Sequence, residues 1–344
     1  MRNTLSLIAL SVFAVSCSTQ KTSTTPQKPP IQVEEKKETA VKAEPVPGKI
    51  VKPQIQHQGD LDFFKINIAD AAKNDNTISH GSIVSAKAAG YKISKEYFPA
   101  VGQNFRQRYI ILHYTALDHD KSVRVLTEQS VSSHYLIGDQ NDKIIHQLVD
   151  ENKRAYHSGL SHWRGVENLN DSSVGIEIVN TGFTIGATGQ REFYPYPEWQ
   201  FRKVGALVKD LVDRYMILPE NVLGHSDVAP TRKQDPGPLF PWKRLYEEYG
   251  VGMWYDQQVM ESYVNQMDAE NFYMQSTDPT FIFKYQTMLK QFGYGLNPSG
   301  SEDPDTKKTI EAFQYRFRPE KATGSMDVET YAILQALLDK YPGK

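Results

Sequence analysis

The chain has 344 residues, room for about two domains of ordinary size. Its 39 Lys and Arg nearly balance 41 Asp and Glu, so the sequence carries no basic footprint for nucleic acid. The hydrophobic fraction, 39%, is low for one packed globule, and residues 18–60 hold most of the shortfall.

The chain opens on Met1-Arg2-Asn3, and Leu5 to Val15 form an apolar run broken by Ser6 and Ser11. That run is too short to span a bilayer, which needs about 20 apolar residues. It has the length of a signal-peptide core, which makes residues 1–16 a leader. Ala14-Val15-Ser16-Cys17 resembles a lipobox, the small-residue site cleaved just before a cysteine that is then acylated. Cys17 is the single cysteine, and an unpaired exported thiol calls for such a role. The plainer reading is an ordinary signal peptide with an incidental cysteine. If Cys17 is acylated, several acyl chains would anchor the protein firmly to a membrane. Ser18, where Asp would retain a lipoprotein inside, resembles the outer-membrane sorting pattern and places the chain in the cell envelope, facing the periplasm.

Residues 17–80 are expected to be a lipidated, disordered tether. The stretch up to Asp60 is rich in Thr, Pro, Lys, Glu and Gln and poor in apolar side chains. About 40 such residues span roughly 35 Å as a coil. A first folded domain is expected over 81–255. Tyr109 to His113 reads as a buried strand, Lys121 to Ser130 as a helix, and Ser133 to Ile137 and Lys143 to Val149 as strands around a turn. Ser173 to Val179 and Val222 to His225 are further strands. Glu198 to Tyr215 is a helix, with Phe201, Val204, Leu207, Val208, Leu211, Val212 and Tyr215 at the 3.6 period. Strands interspersed with packed helices indicate an α/β or α+β arrangement. We take an α/β class, with a mixed central sheet flanked by helices. Over 265–341 three apolar helix faces predict a small three-helix bundle. They are Phe281 to Phe292, Ile310 to Phe317 and Val328 to Tyr341. Nothing in the pattern suggests more than a monomer.

The groups suited to chemistry lie far apart. There is no HExxH pair, which excludes a helix-borne zincin site. His113 ends the first strand and His225 ends the last. Asp235 follows ten residues after His225, in a loop stiffened by Pro230, Pro236 and Pro238. Two histidines and one carboxylate suit zinc, with a fourth position left for water. On its strand Glu177 points with Gly175, away from Val174, Ile176 and Ile178. A lone carboxylate there is costly to bury without a partner or a task. Taken singly, each has a plainer role: a hydrogen-bonded strand-end histidine, a turn aspartate, a surface Lys233, a buried ion-pair Glu177.

Jointly, Tyr109–Ala116, Ser132–Leu136, Tyr156–Gly159, Ser173–Asn180 and Gly224–Trp242 resemble the zinc-dependent N-acetylmuramoyl-L-alanine amidases, whose superfamily includes the peptidoglycan recognition proteins. Asp235-Pro236-Gly237-Pro238-Leu239-Phe240-Pro241-Trp242 is the most specific stretch. The resemblance implies one zinc ion held by His113, His225 and Asp235, with Glu177 as general base and Lys233 stabilising the oxyanion. It implies hydrolysis of the amide between N-acetylmuramic acid, or its anhydro form, and L-alanine in peptidoglycan or muropeptides. It makes 265–341, with Ala312–Pro319, a helical peptidoglycan-binding domain. Tyr114 and Thr115, beside a ligand, are expected near substrate, and His134 and His157 either there or in a packing or hydrogen-bonding role. Trp163 and Trp254 could line the groove or the core. The rival reading is an inactive peptidoglycan-binding lipoprotein on the same frame. Relatives of that kind usually lack a metal ligand, and the presence of Asp235 and Lys233 argues against it.

Overall fold

The structure is a computed structural model and describes residues 89–91 and 104–343. The expected leader, Cys17 and the segment 17–80 lie outside the described residues. In chain order the strands are β1 (Tyr109–Tyr114), β2 (Tyr135–Ile137), β3 (His146–Gln147), β4 (His162–Trp163), β5 (Val166–Glu167), β6 (Ser173–Ile178), β7 (Phe183–Ile185), β8 (Arg191–Phe193) and β9 (Val222–Gly224). The helices are α1 (His119–Glu128), α2 (Glu198–Tyr215), α3 (His225–Val228), α4 (Trp242–Tyr249), α5 (Gln257–Gln266), α6 (Ala269–Gln275), α7 (Pro279–Phe292), α8 (Pro304–Phe317) and α9 (Val328–Lys340).

Five strands form one sheet in the order β3-β2-β6-β1-β9. β3 is antiparallel to β2, and the other pairs are parallel. This is the mixed, helix-flanked sheet expected. β1 is buried from Tyr109 to His113, as its unbroken Ile110-Ile111-Leu112 run requires of a strand covered on both faces. α2 buries Phe201, Val204, Val208 and Leu211 in the cluster that holds Ile110, Leu112, Val174 and Ile176. It ends where Met216 turns left-handed, at φ 52°. On a smaller scale Leu126 of α1 packs with Leu136 and Val179.

Some boundaries differ from expectation. The first helix starts two residues earlier, because Asp118 caps it by accepting the Lys121 N–H at 2.9 Å. The strand expected over Lys143–Val149 shrinks to His146–Gln147, which is an exposed edge with little to bury. α5 and α6 went unread: each is short, and beyond Met260 and Phe272 their apolar side chains are half-buried or exposed.

The three-helix bundle forms as expected from α7, α8 and α9. Asp278, Asp303 and Asp327 cap them, and Pro279 and Pro304 occupy first-turn positions that need no N–H donor. The loops that join them repeat one device. The Oε1 of Gln286 accepts the N–H groups of Ser299 and Gly300, while its Nε2 donates to Thr306 Oγ1 at 2.7 Å. Gln314 repeats this with Thr323, Gly324 and Thr330. The bundle and the sheet region share one hydrophobic core. Trp163 lies fully inside it, edge-on to Phe292 and Tyr294 at centroid distances of 5.8 and 5.3 Å, and Trp254 is also core.

Candidate metal centre and active site

The parallel strands β1, β6 and β9 run in the same direction, and functional groups collect at their carboxyl ends, where open α/β sheets bind ligands. His113 sits near the end of β1 and is buried. β9 stops at Gly224, and His225 is the first residue of the short helix α3. The loop then returns so that the Ser226 N–H donates to the Asp235 carbonyl at 2.9 Å, which ties the two segments together.

Three atoms converge there. His113 Nδ1 lies 2.9 Å from His225 Nδ1, and each lies 3.0 Å from Asp235 Oδ2. The far side of each ring fixes what the near side offers. The Nε2 of His225 faces the Ser158 carbonyl at 3.0 Å, and a carbonyl only accepts, so Nε2 carries the proton. The same logic passes along a chain to His113. Ser173 Oγ donates to the Leu169 carbonyl at 2.6 Å and therefore accepts from His157 Nε2. His157 Nδ1 is then left to accept from His113 Nε2 at 3.0 Å. Both Nδ1 atoms thus present bare lone pairs to the Asp235 carboxylate. Three acceptors facing one another within 3.0 Å repel unless a cation lies among them, so the donor set fits a divalent ion. Among the described residues these three are the group of His, Cys, Asp or Glu side chains able to hold one.

Protonation agrees with this. Burial, then the neighbouring His225, takes the His113 imidazole down to about 4, so it is neutral at pH 7. Burial raises the Asp235 carboxyl; positive charge and ring N–H donors at His225 and His113 would take it well below the usual carboxylate range, and with both Nδ1 atoms bare the role of that positive charge falls to a cation. A neutral His113 imidazole and an Asp235 carboxylate are the forms that ligate.

Glu177 is the Cα partner of His113 across β6 and β1. It is half-buried, yet its Oε2 is enclosed and has no hydrogen-bond partner. Burial pushes its carboxyl up to about 8; the Asp235 charge adds to this and Lys233 opposes it. A carboxyl that titrates near neutrality beside a cation site is suited to moving protons. Glu177, Lys233, Tyr114 and Thr115 line a groove of about 410 Å³ above the three donors. Lys233 is half-buried there.

His134 and His157, open between substrate contact and hydrogen bonding, both make hydrogen bonds within the protein. His134 is absent from the groove lining: its Nδ1 accepts the Gly175 N–H at 3.0 Å and its Nε2 donates to the Lys153 carbonyl at 3.0 Å. His157 borders the groove, but both its ring nitrogens are spent on His113 and Ser173. The sequence held a signal for this. Gly175 interrupts an apolar strand, as glycine does where another group must come close. A Cβ built there would lie 2.4 Å from His157 Cγ.

The N-acetylmuramoyl-L-alanine amidase family matches residues 103–238, and a putative peptidoglycan binding domain matches 282–334. The chain is 40% identical over 244 residues to the N-acetylmuramoyl-L-alanine amidase AmiD of Escherichia coli K12, a match that covers 69% of this chain and 84% of that protein. The chain therefore belongs to the N-acetylmuramoyl-L-alanine amidases, enzymes that hydrolyse the amide between N-acetylmuramic acid and L-alanine. Its fold matches E. coli AmiD in complex with anhydro-N-acetylmuramic acid-L-Ala-D-gamma-Glu-L-Lys, with a TM-score of 0.67, 37% identity, and coverage of 75% of this chain and 98% of that one. It also matches Pseudomonas aeruginosa AmpDh3 in complex with anhydromuramic pentapeptide, with a TM-score of 0.62, 38% identity, and coverage of 76% and 100%.

Proposed function

We propose that the chain is a zinc-dependent amidase that frees stem peptides from peptidoglycan and from anhydro-muropeptides during cell-wall turnover. The triangle of His113 Nδ1, His225 Nδ1 and Asp235 Oδ2, with Glu177 alongside, carries the reading. Two imidazoles and one carboxylate are the ligand set of an open catalytic zinc site. A zinc ion held there would supply Lewis acidity toward water and toward the amide carbonyl. Glu177 takes the proton of the attacking water and hands it to the departing alanine nitrogen. Its placement near neutrality suits both transfers. Lys233 brings an ammonium to the charge that develops on the carbonyl oxygen. Tyr114 and Thr115 border the path of the substrate.

The rest of the chain supports work on polymer. The region 282–334 matches a peptidoglycan-binding family, and Ala14-Val15-Ser16-Cys17 offers an acylation site. We place the protein in the cell envelope as a monomer anchored through Cys17 to the outer membrane, with 1–16 removed, 17–80 as the tether, 81–255 as the catalytic domain and 265–341 as the binding domain.

Mass spectrometry of products from a defined anhydro-muropeptide and from purified sacculi, with and without a chelator, tests the proposal. Metal analysis should give about one zinc per chain, and free stem peptide should appear until the chelator is added. Zinc-loaded protein that holds sacculi and releases no peptide would favour the inactive receptor. Undiminished release from metal-free protein would overturn the zinc chemistry.

A further inference from the structure

The C-terminal bundle reaches the metal centre through one buried ion pair. Arg316 of α8 is 2% exposed and Asp227 of α3 is 1% exposed. Arg316 Nη1 donates to Asp227 Oδ2 at 2.6 Å, and its Nη2 donates to the Val222 carbonyl of β9 at 2.9 Å. Its guanidinium lies over the Trp242 ring at 4.1 Å. Asp227 spends its remaining capacity close by. Oδ2 also accepts the Gly224 N–H at 2.8 Å, and Oδ1 accepts from Tyr294 Oη at 3.1 Å. Gly224 and Asp227 flank the turn that presents His225. That turn is closed against the Asp235 segment by the Ser226–Asp235 backbone bond and by Pro236, whose Cδ lies 2.7 Å from where a Gly224 Cβ would stand.

We infer that Arg316 is a positioning residue for the metal centre: through Asp227 it fixes the turn carrying His225, so the C-terminal bundle is part of the zinc site's scaffold as well as a substrate-binding module. The inference rests on the zinc reading above. The physical case is that Arg316 grips both ends of one hinge. Val222 precedes His225 by three residues and Asp227 follows it by two, so the ring has little freedom to swing about β9. An arginine here does two things a lysine would do poorly, since its planar fork spans a carboxylate and a carbonyl at once while its face stacks on an indole. A linker-borne binding domain would need none of this.

The test compares full-length wild type, Arg316→Met and Arg164→Met. Arg164 is a matched control: it also bridges the two regions, donating to the Phe292 carbonyl at 3.0 Å and the Tyr341 carbonyl at 2.9 Å, but it does not touch the His225 turn. Zinc affinity by chelator competition, the visible bands of the cobalt-substituted protein and the thermal midpoint are measured for each. Both variants should melt lower than wild type. Arg316→Met alone should lose zinc affinity by about 10–100-fold and change the cobalt spectrum. Should Arg316→Met yield no folded protein, Asp227→Asn takes its place with the same expected loss. Wild-type affinity and spectrum in the Arg316 or Asp227 variant, or an equal loss in Arg164→Met, overturns the inference. Wild type that binds no zinc overturns instead the reading beneath it.

Discussion

Glu177 faces His113 directly across the β1–β6 pair, Cα to Cα in register, so the carboxylate proposed to handle protons and the first proposed metal ligand stand on one face of adjacent strands. The sheet itself sets their spacing, without help from a mobile loop. Glu177→Gln, which preserves shape and removes the basic oxygen, should keep about one zinc per chain. It should lower kcat by about 10²–10⁴. Lys233→Met should likewise keep zinc and cost about 10²–10³ in kcat. Metal analysis beside steady-state kinetics on an anhydro-muropeptide checks both. Loss of zinc from the Glu177 variant would move that residue from proton transfer to metal binding.

The same carboxyl predicts how the metal-free chain responds to pH. Folded, Glu177 titrates near 8 because burial disfavours its charge; unfolded, it titrates near its ordinary 4.5. The folded state therefore holds the proton more tightly. The stability this group contributes is complete below about pH 4.5 and is lost as pH rises through about 8. His113 has the opposite sign. Its folded value near 4 lies below the ordinary 6.5, so its contribution is present above 6.5 and is lost as pH falls toward 4. In chelator, the melting midpoint of wild type relative to Glu177→Gln should fall steadily from pH 5 to pH 8. A constant difference would show that Glu177 is already ionised in the folded apo-protein. With a cation beside it the carboxylate is favoured, so the acid limb of kcat/KM lies below pH 8.

Much of this centre could be read from residue order. His113 lies one residue before the end of an apolar strand and His225 directly after one, starting a short helix where a strand end was expected, and parity along Ser173–Ile178 turns Glu177 away from Ile176 and Ile178. Those signals survive because a strand's two-residue period fixes which face each side chain takes. What sequence did not disclose depends on contacts between distant segments. His157 belongs to a loop with no period, and its bond to Ser173 and its fit over Gly175 exist once β6 is in place. Arg316 occupies a helix face among Phe313 and Phe317, where an arginine reads as a surface residue until its partner Asp227 is seen. α5 carries a short stripe, Val259, Met260, Tyr263 and Val264, that is mostly half-buried, and α6 is only seven residues long, so neither stands out by period.

Removal of the ion should cost stability as well as activity. The three donors repel one another when nothing lies between them, and a ligand that binds the folded chain alone stabilises it by about 2.7 kcal/mol at one hundred times its dissociation constant. Chelation should therefore lower the thermal midpoint by several degrees. Added zinc should restore both midpoint and turnover. His225→Ala should abolish stoichiometric zinc binding, and its midpoint should no longer respond to chelator. Calorimetry with and without chelator reads both effects. A His225→Ala protein that still carries one zinc per chain would remove His225 from the ligand set.

The link from Ser173 through His157 to His113 makes a glycine the most informative position to alter. Gly175 lies on β6, and a Cβ there would stand 2.4 Å from His157 Cγ and 2.5 Å from its Cδ2, so the ring must move. Moving it disturbs its bonds to His113 Nε2 and Ser173 Oγ, which orient the His113 ring and fix its tautomer. Gly175→Ala should lower the thermal midpoint, since overpacking a filled site costs about 1–3 kcal/mol. It should also weaken zinc binding by about 10–100-fold, the usual consequence of disturbing a ligand's hydrogen-bond partner. Ser173→Ala separates the two effects. It adds no bulk and withdraws the acceptor from His157 Nε2, so zinc affinity should fall in the same direction with a smaller loss of midpoint. If titration calorimetry finds wild-type zinc affinity in Gly175→Ala while the midpoint drops, the histidine relay has no part in holding the ion, and His113 is oriented by its own strand alone.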